Sequence, residues 1–508
     1  MTTRESRPVA GTDPRTGSPL APGAVETTPD GLDEIVAAAA DAAPALEALG
    51  RAGRARLLRA LARALDRARE EIVAAADAET ALGPARLGGE LTRTVYQLEF
   101  FAGVLDDGGY VEATIDLAGE TPMGPRPDLR RMLVPIGPVA VFGASNFPLA
   151  FSVPGGDTAS ALAAGNPVVV KAHGSHPGTS RLVHELLQKA LTAAGLPAGT
   201  LGLVFGRTAG ERLVAHPAIK AVGFTGSLSG GRALLDIIGT RPEPIPFYGE
   251  LSSLNALVVT AAAARERPGE IGTGLIGSVT ASSGQLCTKP GLVLVPAGAD
   301  GDAVVEAARS ALGDAPVIPL LNQRIHQSYL DGTARLTGVP GVSTVARGVP
   351  SAGGGFWVAP WLASVDAADM PDEAFAEYFG PAAVVARYST QAELRAVVDR
   401  LPASLTATVH LGADEKADEL VAALGRRAGR LVFNGYPTGV SVGWAQHHGG
   451  PWPSTNSLHT SVGATAIRRF LRPLAWQNAP VHLLPDELSD EPVCPLPRRV
   501  NGELRVPR

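Results

Sequence analysis

The sequence predicts an α/β fold built on parallel sheets with helices on both faces. Short apolar runs of four or five residues alternate with stretches of helical spacing, the pattern that parallel sheets produce. This alternation occurs twice, over 139–259 and over 292–433, and 508 residues are too many for one core of ordinary size. The 59 glycines and 42 prolines, set in a normal apolar fraction of 45%, imply many turns between buried elements. They follow no fixed period, which excludes collagen.

Taken in order, residues 1–29 read as a flexible arm with little structure. From 31 to about 107 the chain is rich in Ala, Leu and Arg; Leu57, Leu58, Leu61 and Leu65 share one helix face, and Gly108-Gly109 ends the block. Residues 110–134 read as an extended ribbon with Pro122, Pro125 and Pro127 near its tip. Strands are expected at 139–142, 168–171, 201–204, 221–224 and 256–259, with helices at 179–194 and 207–216 between them. The second block has strand candidates at 292–295, 382–385, 405–409 and 431–433. Residues 435–467 lack periodicity, and so long a loop in a compact chain is functional or packs at an interface.

The net charge of −6 comes without a long basic block, which argues against a nucleic-acid partner. Two cysteines, Cys287 and Cys494, exclude a disulfide framework and fit a reducing compartment. The first seventeen residues are polar and do not read as a signal peptide. Residues 132–156 and 431–467 lack Asp, Glu, Lys and Arg, but glycine and proline punctuate both, unlike a membrane helix. The expectation is a soluble cytoplasmic protein with neither a nucleic-acid nor a membrane partner.

Several motif matches fail in context. Gly439-Val-Ser-Val-Gly443 has the letters of a hydrolase elbow, but the residues that follow, 444–451, will not start a helix. No Gly-Lys pair exists, so a phosphate-binding P-loop is excluded. Gly272-Thr-Gly-Leu-Ile-Gly277 follows a charged stretch rather than a strand, and reads as close helix packing. His447-His448 is a lone pair without ligand spacing, so no metal is assigned.

Four features carry chemistry. Cys287 sits in Gly284-Gln-Leu-Cys-Thr-Lys-Pro-Gly291, after a helical pattern; a loop on a rigid scaffold exposes a nucleophile, although a lone cysteine is also a small core residue. Glu250 follows the apolar stretch 245–248, at the carboxyl end of an expected strand, where parallel sheets place their sites; it also fits a surface turn. Asn146, after the strand at 139–142, offers an amide to an oxyanion or to an Asx turn. Gly223-Phe-Thr-Gly-Ser227 joins a strand to a helix, where Gly226 permits close approach and Ser227 caps an N-terminus suited to phosphate, or an ordinary helix.

In this order and spacing these segments resemble the aldehyde dehydrogenase superfamily. The matching stretches are 143–148, 171–177, 223–227, Glu250-Leu251, 284–287 and Glu377-Tyr-Phe-Gly-Pro381, within a similarity spanning roughly 31–475. Residues 171–180, 287–291, 433–440, 448–456 and 460–463 are most similar to the 2-oxoglutarate semialdehyde (2,5-dioxovalerate) dehydrogenase group. They are also similar to a bacterial NADP-dependent fatty aldehyde dehydrogenase. Three positions depart from the common pattern: Ser145 in place of Trp, Ser252-Ser253 in place of Gly-Gly, and Gly174 in place of the acid three residues after Lys171.

The resemblance implies an aldehyde dehydrogenase-like fold with two Rossmann-like parallel-sheet domains and a small oligomerisation arm. The NADP-binding domain would be 30–109 with 135–250, the catalytic domain 251–464, and the arm 110–134 with 465–508. It implies Cys287 as nucleophile, Asn146 as oxyanion donor and Glu250 as general base, acting on a small aldehyde such as 2,5-dioxopentanoate. Lys171 and Glu377 would hold the two riboses, Gly226 and Ser227 the pyrophosphate, and Phe379 the nicotinamide. With Gly174 there is no acid to repel a 2′-phosphate, and Arg207 would pair with one. NADP is therefore expected, with NAD as the alternative. The Ser282-Ser283 pair is a candidate for hydrogen-bonding a polar substrate, and a homodimer or homotetramer is expected.

Overall fold

A computed structural model describes residues 7–349 and 353–507. Its centre is two sheets. The first runs Phe247–Glu250, Ala221–Thr225, Val139–Phe142, Val168–Lys171, Leu201–Val204, all parallel. The chain enters at Val139–Phe142, winds outward through the next two strands, then crosses to the other side. The order reverses beside Val139–Phe142, and ligands of open α/β sheets bind at the carboxyl edge of such a reversal. Four helices, Pro29–Ala48, Gly50–Arg67, Arg69–Thr80 and Pro84–Asp107, precede this sheet. Leu57, Leu58, Leu61 and Leu65 are all buried, and Gly108 ends the last helix in a left-handed conformation, φ 75°.

The second sheet has seven strands, in the order Ser343–Arg347, Trp361–Asp366, Ala382–Tyr388, Leu292–Pro296, Leu257–Val259, Ser404–His410, Ala428–Phe433. Only Ser343–Arg347 is antiparallel to its neighbour. The strand expected at 256–259 as part of the first alternation therefore belongs to this sheet, because Phe247–Glu250 already forms the edge of the first. Sequence patterning misses Ser343–Arg347, which has no buried residue, and Trp361–Asp366, whose Ala363 and Ser364 dilute the apolar run.

A third sheet, Leu471–Gln477, Leu129–Pro135, Thr114–Asp116, Arg498–Val500, Glu503–Arg505, joins the ribbon after 110 to the C-terminal tail. Leu471–Gln477 is its edge, with no buried residue.

The N-terminal arm is not a loose segment. Of the expected arm, residues 1–6 lie outside the described residues, while Pro8–Thr12 and Pro19–Val25 pair antiparallel. Arg15 reaches Asp77 at 2.7 Å, the Phe356 N–H donates to the Pro14 carbonyl at 2.9 Å, and the Trp357 indole donates to the Arg15 carbonyl at 3.1 Å. Backbone pairing and polar bonds hold this hairpin, so apolar periodicity gives no sign of it. In the helix Pro268–Thr280, a Cβ on Gly272 would lie 2.4 Å from the Val304 carbonyl oxygen. That glycine packs against the helix Ala299–Gly313 and belongs to no phosphate loop. Among the described residues no helix is long and apolar enough to cross a membrane.

Candidate active site

The carboxyl edge of the first sheet faces the amino edge of the second. Glu250 ends one of the former strands; Cys287 lies in the loop that leads into Leu292–Pro296. That loop is pinned from several sides. The Asn255 side-chain amide donates to the Cys287 carbonyl at 2.8 Å and the Lys289 carbonyl at 3.1 Å. The Lys289 ammonium donates to the Ala382 carbonyl at 2.7 Å, and burial lowers its pKa to about 8. Ser282, Ser283 and Gly284 take positive φ and turn the chain sharply out of the preceding helix.

Neither serine faces a substrate. Ser282 accepts from Arg86 at 2.9 Å, and Ser283 donates to the Ile318 carbonyl at 2.6 Å. Both hydroxyls brace the turn and neither lines a cavity at Cys287, against the expectation that they bind substrate.

The Asn146 loop is clamped by the helix Pro84–Asp107. Arg86 donates to the Asn146 carbonyl at 2.8 Å and pairs with Glu90 at 2.5 Å. The other Glu90 oxygen accepts from the Leu149 and Ala150 N–H groups. One N–H of the Asn146 side chain donates to the Gln285 carbonyl at 2.9 Å, which ties Asn146 to the cysteine loop and leaves its second N–H to the cavity.

At the centre His448 Nε2 lies 3.6 Å from Cys287 Sγ and 3.0 Å from Glu250 Oε1. The Ser461 hydroxyl donates to Glu250 Oε2 at 2.7 Å. His448 and Ser461 come from the long unpatterned loop after 435. It runs along the open edge of Phe247–Glu250, where the Leu251 N–H donates to the Ser454 carbonyl at 2.8 Å and Asn456 bonds Gly249 and Phe247. Covering an edge strand is a structural task; the same segment delivers the imidazole. The sequence alone offers His448 only as a metal ligand without partner spacing. Its position in the 448–456 stretch that carries the resemblance was the available signal. The sulfur, nitrogen and carboxylate oxygen lie within 4.8 Å of one another, a donor set able to share a proton or hold a soft divalent ion.

Electrostatics divides these groups. Burial alone would raise Glu250, but the His448 charge and the hydrogen bonds from His448, Ser461 and Cys287 outweigh it and hold the carboxyl below its usual range. Burial, followed by the Glu250 charge, pushes the Cys287 thiol well up; Arg93 opposes this. Glu377 is raised by burial although the Ser252 hydroxyl donates to its carboxylate. The serine that replaces a usual glycine therefore engages the carboxylate expected at a ribose.

Two cavities meet at Cys287. One, of about 300 Å³, brings together Asn146, Glu250, Gly226, Ser227, Glu377 and Phe379. The other, of about 420 Å³, is lined by Arg93, Phe147, Phe151, Leu286, Val440 and Ser441. A third cleft holds Lys171, His173, Gly174, Arg207 and Arg324. Every catalytic and cofactor residue proposed from the sequence thus lies on the first or third of these surfaces; Ser282 and Ser283 lie on neither. A dinucleotide fits the donor set: Ser227 caps the twelve-residue helix Leu228–Gly239, and a Cβ on Gly174 would meet nothing within 4 Å. Arg207 is highly exposed and paired with Glu211 at 2.9 Å, so it would have to leave that partner to meet a phosphate. Arg324, absent from the sequence-based set, faces both clefts.

One parallel sheet and one parallel but for its edge strand, closing on a cysteine, a carboxylate and a nucleotide-sized cleft, define a dinucleotide-dependent enzyme class. Residues 1–473 match the aldehyde dehydrogenase family, and the chain belongs to it. It is 45% identical to alpha-ketoglutaric semialdehyde dehydrogenase 2 of Azospirillum brasilense, over 97% of this chain and 95% of that protein. It is 42% identical to alpha-ketoglutaric semialdehyde dehydrogenase of Acinetobacter baylyi, over 84% of this chain and 82% of that protein. A solved structure, a putative aldehyde dehydrogenase from Burkholderia cenocepacia, is 25% identical with a TM-score of 0.77, over 94% and 98% of the two chains. The protein is an oxidoreductase acting on aldehydes with an NAD(P) cofactor.

Proposed function

We propose that the protein oxidises 2,5-dioxopentanoate to 2-oxoglutarate, with NADP preferred over NAD. The chemistry rests on one observation: Cys287 stands on the shared wall of two cavities with the Glu250–His448 pair beside it. The choice of substrate follows the two relatives named for that semialdehyde.

Cys287 Sγ attacks the aldehyde carbon and forms an S–C bond. Its proton, held on the resting thiol by burial and by Glu250, leaves to solvent in the cavity, because His448 Nε2 already donates to Glu250. The oxyanion is held by the Asn146 amide and the Cys287 backbone N–H, and removing one such donor costs ~3–4 kcal/mol in the transition state. The nicotinamide supplies the acceptor for the hydride that leaves the carbon. A thioester on Cys287 remains. Glu250, ionised at neutral pH, takes the proton of a water that attacks the thioester carbon; the C–S bond breaks, the acid departs and the thiol is restored. Lys171, Ser227, Glu377 and Phe379 would hold the cofactor, with Gly226 allowing close approach. Gly174 leaves room for a 2′-phosphate, with Arg207 at hand on the same cleft.

On this reading 30–109 with 135–250 is the cofactor domain and 251–464 the catalytic domain; 110–134 with 465–508 forms the arm. The exposed edge Leu471–Gln477, with Leu474 exposed, suits pairing with a second copy as a homodimer or homotetramer. The two free cysteines suit the cytoplasm. A second reading, a medium-chain aldehyde substrate, is favoured by Phe147, Phe151, Leu286 and Val440 in the second cavity. Initial rates with 2,5-dioxopentanoate, succinic semialdehyde and hexanal, each with NADP and with NAD, separate the two. The proposal requires the highest kcat/KM for the dioxo acid with NADP, and a higher value for hexanal would reject the substrate.

A further inference from the structure

Arg93 projects from the middle of the helix Pro84–Asp107 and lines the second cavity beside Cys287. Both terminal guanidinium nitrogens are buried and have no hydrogen-bond partner among the described residues. A buried cation without a counter-ion is costly, and each such group in a native protein calls for an explanation. The nearby carboxylates do not supply one. The oxygens of Glu90 are occupied by Arg86 and by the Leu149 and Ala150 N–H groups; those of Glu250 are occupied by His448 and Ser461. The contact the guanidinium does make is with the Phe151 ring, 5.0 Å from Cζ to the centroid. Stacking on an aromatic face fixes the plane of the fork and leaves its N–H edge free. A second guanidinium, that of Arg430, has an equally unpartnered buried Nε and is close enough to feel the charge of Cys287.

We propose that Arg93 is the specificity-determining residue that receives the distal carboxylate of the aldehyde substrate, forming a two-pronged ion pair in the cavity opposite the cofactor cleft. The inference rests on the semialdehyde-acid reading above and gives it a recognition group. A substrate with its aldehyde at Cys287 and an anionic tail in this cavity would satisfy the orphaned nitrogens; an alkyl tail would leave them bare. Burial lowers the Arg93 pKa, and the charges of Glu90, Cys287 and Glu250 oppose that shift, so a carboxylate here would restore the cation's missing partner. The Ser441 hydroxyl, on the same wall, is available to the 2-oxo group.

The test measures kcat/KM of the full-length wild type and of Arg93→Met and Arg93→Gln for 2,5-dioxopentanoate and for hexanal. Charged bidentate pairs are strong enough that the ratio of the two values should fall ~30- to 100-fold in both variants, mainly through KM for the acid. An unchanged ratio in a wild type that prefers the acid overturns the inference while leaving the substrate reading intact. A wild type with no such preference removes the substrate reading, and this inference with it. Thermal unfolding supplies a second readout. Removing an unpaired buried charge should leave the Tm of Arg93→Met level or raised, whereas a large drop would mark Arg93 as a structural residue and overturn the assignment.

Discussion

His448 Nε2 and Glu250 Oε1 meet at 3.0 Å, and the two side chains are only 1% and 3% exposed. The imidazole is thus shared between a carboxylate and a thiol 3.6 Å away. A His448→Gln variant can still donate to Glu250 but removes the charge that holds its carboxyl low. The acid limb of the kcat–pH profile, which reports the ionisation of the Glu250 base, should move to higher pH. A profile that overlays the wild type would contradict this role of His448.

The thiol and carboxylate shifts have separate signatures. With Cys287 pushed above the ordinary thiol value of about 8.5, alkylation by iodoacetamide should still be accelerating at pH 9, whereas a plateau by pH 7 would contradict the shift. Glu250 is depressed in the folded state relative to about 4.3 in an unfolded chain. Its contribution to stability is therefore complete above that unfolded value and is lost as pH falls through the lower folded one. The stability gap between wild type and Glu250→Gln, measured by denaturant unfolding, should narrow only in that acid range.

Gly174 tests the cofactor preference. A Cβ there meets nothing within 4 Å, so Gly174→Glu can be accommodated without a clash. Its carboxylate would repel a 2′-phosphate and accept a 2′-hydroxyl. The NADP-to-NAD ratio of kcat/KM should fall about tenfold or more, since like charges held together cost several kcal/mol at most and about 1.4 kcal/mol is tenfold. An unchanged ratio would place the 2′ position elsewhere.

Two glycines of one helix should behave oppositely. A Cβ on Gly272 lies 2.4 Å from the Val304 carbonyl oxygen, so Gly272→Ala should destabilise by ~1–3 kcal/mol in urea unfolding. Gly277 has open space, and Gly277→Ala should stabilise by ~0.5–1 kcal/mol. Equal effects would show that the helix contact does not set the packing.

The contrast between what sequence revealed and what it missed has a physical basis. Runs such as Val139–Phe142 and Leu292–Pro296 are buried at every residue, so their uniform apolarity was readable. The hairpin of Pro8–Thr12 and Pro19–Val25 is held by backbone pairing and by Arg15, which leave no periodic trace. Cys287, Glu250 and Asn146 stood out by motif. His448, Ser461 and Arg93 did not, because their roles arise from distant segments meeting: His448 is 198 residues from Glu250 in sequence. Ser282 and Ser283 misled because proximity to Cys287 along the chain does not aim a side chain at the substrate; positive φ turned both into braces of the loop.

In the proposed mechanism Cys287 carries the acyl group and Glu250 releases it. The most direct measurement is mass spectrometry of Glu250→Gln after a single mixing with 2,5-dioxopentanoate and NADP. A burst of about one NADPH per active site is expected, with an acyl adduct on the peptide containing Cys287 that is absent in Cys287→Ala. Steady turnover without an adduct, or an adduct on another residue, would contradict it.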